Sequence, residues 1–108
     1  MKKLTLNKWG SEHQITFDID SYVHNGNLYV GMIAHDDGYP EPWSDLTVNL
    51  GVKCEANRAF IDVNNNGIDV INWLLDNKLG RVTAREKVSG FCVYPEFEFD
   101  MQRLMEYV

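Results

Sequence analysis

The sequence is poor in the features that most quickly assign a protein to a class. It has only two cysteines, Cys54 and Cys92, too few for a disulfide scaffold, and no CxxC or HxxxH spacing that would suggest zinc. It has no apolar run approaching ~18 residues, and Met1-Lys2-Lys3 leads straight into polar alternation. Neither a membrane-spanning helix nor a secretory leader is expected, and the compartment that fits is the cytoplasm. Basic charge is scarce: 10 Lys and Arg face 16 Asp and Glu, a net charge of -6. That balance argues against holding nucleic acid or an anionic membrane directly by charge. There is no P-loop, no G-x-G-x-x-G and no G-x-S-x-G elbow around Ser89-Gly90, so no cofactor is implied and an enzyme is unmotivated.

What the chain does have is a normal supply of core material. Its 108 residues are 44% hydrophobic and 12% aromatic, enough for a single globular domain over residues 1–108. Leu4, Leu6 and Trp9 suit a first strand, and Ile15, Phe17 and Ile19 alternate with Thr16, Asp18 and Asp20 in a second. Asn25-Gly26 then tolerates positive φ and leads into Leu28 to Ala34, which predicts a hairpin with a tight turn. Leu46 to Leu50 and Arg58 to Val63 read as short strands, and Gly90 to Tyr94 as another, interrupted by Pro95 before a strand-like run with Phe97, Phe99 and Met101. His35 to Asp45 concentrates Gly38, Pro40, Pro42 and acids, a composition that stops strands and makes an exposed loop. Arg81 to Ser89 is polar and basic and reads as a connector or edge segment.

One helix is expected near Ile68 to Lys78. Asn64-Asn65-Asn66-Gly67 can cap it, Ile68, Ile71, Leu74 and Leu75 form an apolar stripe, and Leu79-Gly80 ends it. A terminal helical turn from Gln102 to Val108 would dock Leu104 and Met105. The expected fold is therefore α+β: an antiparallel sheet of about five or six strands with one main helix packed on one face. The expected core is Leu4, Leu6, Ile15, Phe17, Ile19, Val30, Leu46, Val48, Ile61, Ile71, Leu74, Leu75, Phe91, Val93, Phe97 and Phe99.

Candidate chemistry is sparse. Asp62 to Gly67 matches the first half of an EF-hand calcium loop, but the twelfth position, where a bidentate acid belongs, is Trp73. A strand-to-helix turn rich in capping Asn is the preferred reading, and no metal is expected. His35-Asp36-Asp37 offers ligand and proton-carrier types, yet adjacent side chains on a strand or loop diverge. The charge is uneven: residues 9 to 52 carry seven acids and no Lys or Arg, whereas residues 78 to 87 are net +3. Within the acidic stretch, Asp36, Asp37, Tyr39, Glu41 and Trp43 combine carboxylates with aromatic anchors, the pattern of a protein-binding loop. Trp43 folded back onto the sheet is the commoner fate of such a residue.

Three segments, Asp45 to Leu50 (DLTVNL), Ala59 to Asn65 (AFIDVNN) and Ser89 to Phe99 (SGFCVYPEFEF), resemble recurring blocks of a family of small proteins of unknown function. That family is encoded largely in Firmicutes, often on conjugative elements, plasmids and prophages. The resemblance implies an intracellular accessory protein of mobile DNA and supplies no functional residue. Beside the residues, it supports a non-enzymatic protein-interaction module with a protein partner, in its sharper form an acidic inhibitor of a DNA-binding host protein. The alternative is a small ligand-binding or enzymatic domain whose site lies between sheet and helix, using Asp62, His35 or Cys92. Self-association through a sheet edge is a third reading, and the chain is expected to be a monomer or a homodimer.

Overall fold

The computed structural model describes all 108 residues. Four strands, β1 (Leu4–Lys8), β2 (Ser11–Ser21), β3 (Leu28–Ala34) and β4 (Glu41–Asp45), form an antiparallel meander in the order β1-β2-β3-β4. Four more, β5 (Thr47–Val48), β6 (Arg58–Ile61), β7 (Gly80–Ser89) and β8 (Cys92–Phe99), form a second antiparallel sheet in the order β5-β6-β8-β7. The helices are short: α1 (Val63–Asn66), α2 (Val70–Asp76) and α3 (Met101–Leu104), the last running into a 3-10 turn at Met105–Tyr107.

This overturns the expected α+β arrangement of one sheet and one main helix. The chain is 48% strand and 17% helix, and its architecture is two four-stranded sheets. The single helix is absent because Asp62, buried just past β6, caps a short helix of its own: its carboxylate accepts from Asn65 N–H at 3.1 Å and Asn65 Nδ2 at 2.8 Å. Gly67, at φ +84°, stops that helix, and α2 starts afresh at Val70. The buried pair on α2 is consequently Val70 and Leu74, while Ile68 and Leu75 face water. Helix α2 ends at Asp76, and Lys78, two residues on, takes the left-handed region at φ 59°. Gly80 serves a different purpose, since a Cβ there would lie 2.0 Å from the Glu98 carbonyl oxygen.

The end of the expected loop His35 to Asp45 is strand β4, and the expected connector or edge segment Arg81 to Ser89 is the edge strand β7. β4 accepts Pro42 because it is an edge strand with a bulge opposite Met32 and Ile33. β7 is polar because it too is an edge, with one flank free and both faces largely exposed. Pro95 does not interrupt β8. It lies beyond the end of β6, whose pairing with β8 stops at Phe60 and Glu96, and beside a bulge where Thr83 to Arg85 loop out. A residue without an N–H is tolerated there. The expected β2–β3 hairpin forms, but its connection is six residues, Tyr22 to Asn27, rather than a tight turn, with Gly26 at φ +72°.

One cluster of buried apolar side chains draws on both sheets: Leu4, Ile15, Phe17 and Val30 from the first, Ile61, Phe97 and Phe99 from the second, closed by Leu74, Leu79, Leu104 and Tyr107. Ile19, Val48 and Ile71 are only half-buried, and Leu75, Phe91 and Val93 are exposed, Phe91 completely, at the β7–β8 turn. Phe60, outside the expected core, is buried. Tyr107, not Met105, docks the C-terminal turn.

The sheets are joined at Leu46, which is fully buried between β4 and β5. Its N–H donates to the Val30 carbonyl in the first sheet at 2.9 Å, and its own carbonyl accepts from Asp62 N–H, just past β6 of the second, at 2.9 Å. The second sheet also buries a carboxylate. Glu96 accepts from Thr83 Oγ1 at 2.8 Å and Arg85 Nη1 at 3.3 Å, with Arg58 Nη1 at 3.8 Å. Its neighbour Glu98 bridges Arg58 and Arg81 at 2.8 and 3.0 Å, which holds its carboxyl below the usual range, Arg58 contributing most. Of the basic stretch after the helix, Arg81 and Arg85 are thus paired with the carboxylates of β8.

The helix placement has a direct check. Leu74→Ala should lower unfolding free energy in urea by about 2–5 kcal/mol, because Leu74 has no solvent exposure. Leu75→Ala should cost less than about 1 kcal/mol. Equal losses would mean that α2 presents a different face to the core.

Candidate functional site

Local rules build a cleft between the first sheet and the α1–α2 segment. Lys8 pairs with Ser11, so Trp9-Gly10 is a two-residue turn, with φ 50° and 76°. Positive φ at both centres is the type I′ hairpin, whose first centre normally takes Asn, Asp or Gly. An indole there is both strained and, at 85% exposure, unburied. On β4, Met32 pairs with Ser44 and Ile33 with Pro42, which leaves Trp43 as the extra residue of a β-bulge. Bulges re-aim side chains, and the Trp43 ring lies 4.3 Å from the His13 ring and 6.2 Å from that of Trp9. On α2, the fourth residue Trp73 is fixed by its Nε1–H, which donates to Thr5 O at 2.8 Å, and by Phe17 at 6.1 Å between centroids.

All three tryptophans of the chain therefore line one cleft of about 400 Å³. That volume lies toward the lower end of the roughly 300–1,000 Å³ of small-molecule sites. Asp69, Asn72, Trp73 and Asp76 follow the i, i+3, i+4, i+7 spacing of one helix face and form the α2 wall, opposite Asn7 on β1. Asn66 ties the walls together. Its Nδ2 donates to the Asp45 and Asp62 carbonyls at 2.9 Å each, its Oδ1 accepts from Ser44 Oγ at 2.8 Å, and its own carbonyl accepts from Lys8 Nζ at 2.6 Å.

The five residues expected to bind a partner divide. Trp43 is half-buried and lines the cleft. Asp36 is tied down: its carboxylate accepts from His13 Nδ1 at 2.6 Å and from the Gln14 N–H at 3.0 Å. Asp37, Tyr39 and Glu41 are exposed along the approach to β4. The alternative set does not converge. Asp62 is occupied as a helix cap, and His35 bonds Thr16 Oγ1 through Nε2 at 2.7 Å. Cys92 lies at the start of β8, by the β7–β8 turn. Cys54 is buried, and burial pushes its thiol up, away from the reactive thiolate.

Sequence reasoning missed Trp9, Asn66 and Trp73 as members of a site. The signals were present: an indole directly before Gly10 in a turn, and the α2 spacing of Asp69, Asn72, Trp73 and Asp76. Both patterns had a simpler use in fold assignment, and only the folded chain brings the β1–β2 turn, β4 and α2 to one cleft.

Asp36 gives a pH prediction. The His13 hydrogen bond, then the Gln14 N–H, hold its carboxyl below its ordinary value of 3.8. A depressed carboxyl contributes stability above its unfolded pKa and loses it as pH falls through the folded one. Wild-type protein should therefore melt above Asp36→Asn at pH 7, and the gap should close below about pH 4. A gap unchanged at pH 2 in thermal melts would show that the carboxylate is not what matters.

No helix is long and apolar enough to cross a membrane. Neither a curated protein nor a solved structure matches the chain. Residues 16–108 match the family described as a domain of unknown function, DUF4313, and the chain belongs to that family.

Proposed function

We propose that the protein is a non-enzymatic binding module and that the cleft between the first sheet and α2 is its binding site. The observation that carries this is the convergence of the three tryptophans, two of them placed by backbone irregularities. Trp9 at the first centre of a type I′ turn is a strained choice at φ 50°, and the bulge re-aims Trp43 out of the strand's alternation. Irregularity concentrated around one concave, partly polar surface is the usual mark of a ligand site. The wall groups offer hydrogen bonds and ring faces, but no nucleophile stands beside a base, so binding rather than turnover is the favoured activity.

Trp9→Asn tests this directly. Relief of the left-handed strain should raise stability by about 1 kcal/mol, while thermal-shift responses to a metabolite library seen with wild type should vanish. Lower stability with unchanged responses would make Trp9 a structural residue and sink the reading.

A second reading is favoured by the exposed Tyr39, 75% accessible, flanked by Asp37 and Glu41 beside the open edge of β4. In it the module also engages a protein with a basic surface, such as a DNA-binding host protein met by a mobile element. A triple variant, Asp37→Ala, Tyr39→Ala and Glu41→Ala, leaves the Asp36 tie and the cleft intact. Affinity capture should lose the partner held by wild type; its retention would remove this segment from the interface.

A further inference from the structure

We infer that the tryptophan cleft takes a neutral saccharide, one sugar ring or a short run of them, with ring C–H faces against indole and hydroxyls on the amide and carboxylate wall. This rests on the reading of the cleft as a binding site and narrows its ligand to a chemical class. The polar groups that remain free decide the class. Asn7, Asn72, Asp69 and Asp76 line the cleft, and neither carboxylate joins an ion pair of the chain.

Charge disfavours both signs. An anion would meet Asp69 and Asp76 in a protein of net charge -6, and Lys8, the one cationic side chain lining the cleft, is already engaged by the Asn66 carbonyl. A cation would compete with a resident one, because Lys8 Nζ already lies 5.7 Å over the Trp9 ring and donates to the Asn66 carbonyl. An ammonium or guanidinium also uses only acceptors, leaving the amide N–H donors of Asn7 and Asn72 without a partner. A hydroxyl is donor and acceptor at once. Vicinal hydroxyls satisfy both halves of a carboxamide, and a carboxylate takes two hydroxyl protons. The opposite, apolar face of the same ring is what an indole face accepts. Three indoles with free amides and carboxylates fit a polyol with one hydrophobic face better than they fit a lipid or a planar apolar ligand.

The test follows the three indole N–H signals by NMR. Wild-type protein is titrated with neutral mono- and oligosaccharides of glucose, galactose, mannose and N-acetylglucosamine, and in parallel with tetramethylammonium and with inorganic phosphate. At least one saccharide should shift the indole signals saturably. Trp9→Ala and Asn72→Ala, both at exposed positions, should each weaken that saccharide ten-fold or more, and Tyr39→Ala should leave it unchanged. Saturation by tetramethylammonium or phosphate with no response to any saccharide would overturn the inference and leave the binding cleft standing. Indole signals unmoved by every probe would overturn both. Saccharide binding that Trp9→Ala and Asn72→Ala leave intact would place the sugar elsewhere and refute the assignment to the cleft.

Discussion

The crossing at Leu46 is the constraint on which the rest of the molecule depends. A chain that passes from one sheet to another must turn a corner without leaving buried peptide groups unpaired. Here a single fully buried residue does so by giving its N–H to the first sheet and its carbonyl to the end of the second. Thr47 extends the joint, its hydroxyl accepting from Val30 N–H at 3.1 Å and lying 2.9 Å from the Tyr22 hydroxyl. The residues just before the crossing are Trp43 to Asp45, and those bonded just after it lead into Asn65 and Asn66. The same joint that holds the sheets together therefore fixes two walls of the cleft relative to each other.

Strands with one dry face were legible, and those without were not. β1, β2 and the end of β8 alternate because one side of each meets the common core, so period-two patterning marks them, while β3, an apolar run from Leu28 to Ala34, is marked by the Asn25-Gly26 turn before it. β4 and β7 are edges, where solvent on the outer flank permits Pro42, Arg81 and Arg85, and the alternation disappears. The helix failed for another reason. Ile68, Ile71, Leu74 and Leu75 satisfy a helical period, but the Asp62 cap and Gly67 leave Ile68 outside α2, which keeps Leu74 in the core, adds Val70 beside it and turns Leu75 to water.

The site was less legible than the fold because its residues are distant in sequence and individually ordinary. Trp43 was visible as a loop aromatic, and Asp36 as an acid in a suggestive cluster. Their relation was not, since it runs through His13 on a different strand. Trp73 looked like the failure of a calcium loop, whereas its place on α2 makes it a wall. Asn66 looked like turn filler and is instead the residue whose side chain and carbonyl bind β1, β4 and Asp62 together.

The three indoles are also held to different degrees, and this bears on how the cleft would work. Trp73 is anchored at its Nε1 and against Phe17, so its ring is set before any ligand arrives. Trp43 is set at one remove: the bulge aims it, the His13 ring packs on it, and Asp36 holds His13. Trp9 alone stands in solvent on a turn tip. Preorganised walls reduce the ordering entropy that binding costs, and an exposed third ring supplies apolar area that is buried only when the cleft is filled. Affinity would then depend most on Trp9, while specificity would reside in the amide and carboxylate wall of α2. Asp36, the one acid of the loop that is tied inward, belongs on this account to the support of the cleft rather than to a surface for another protein.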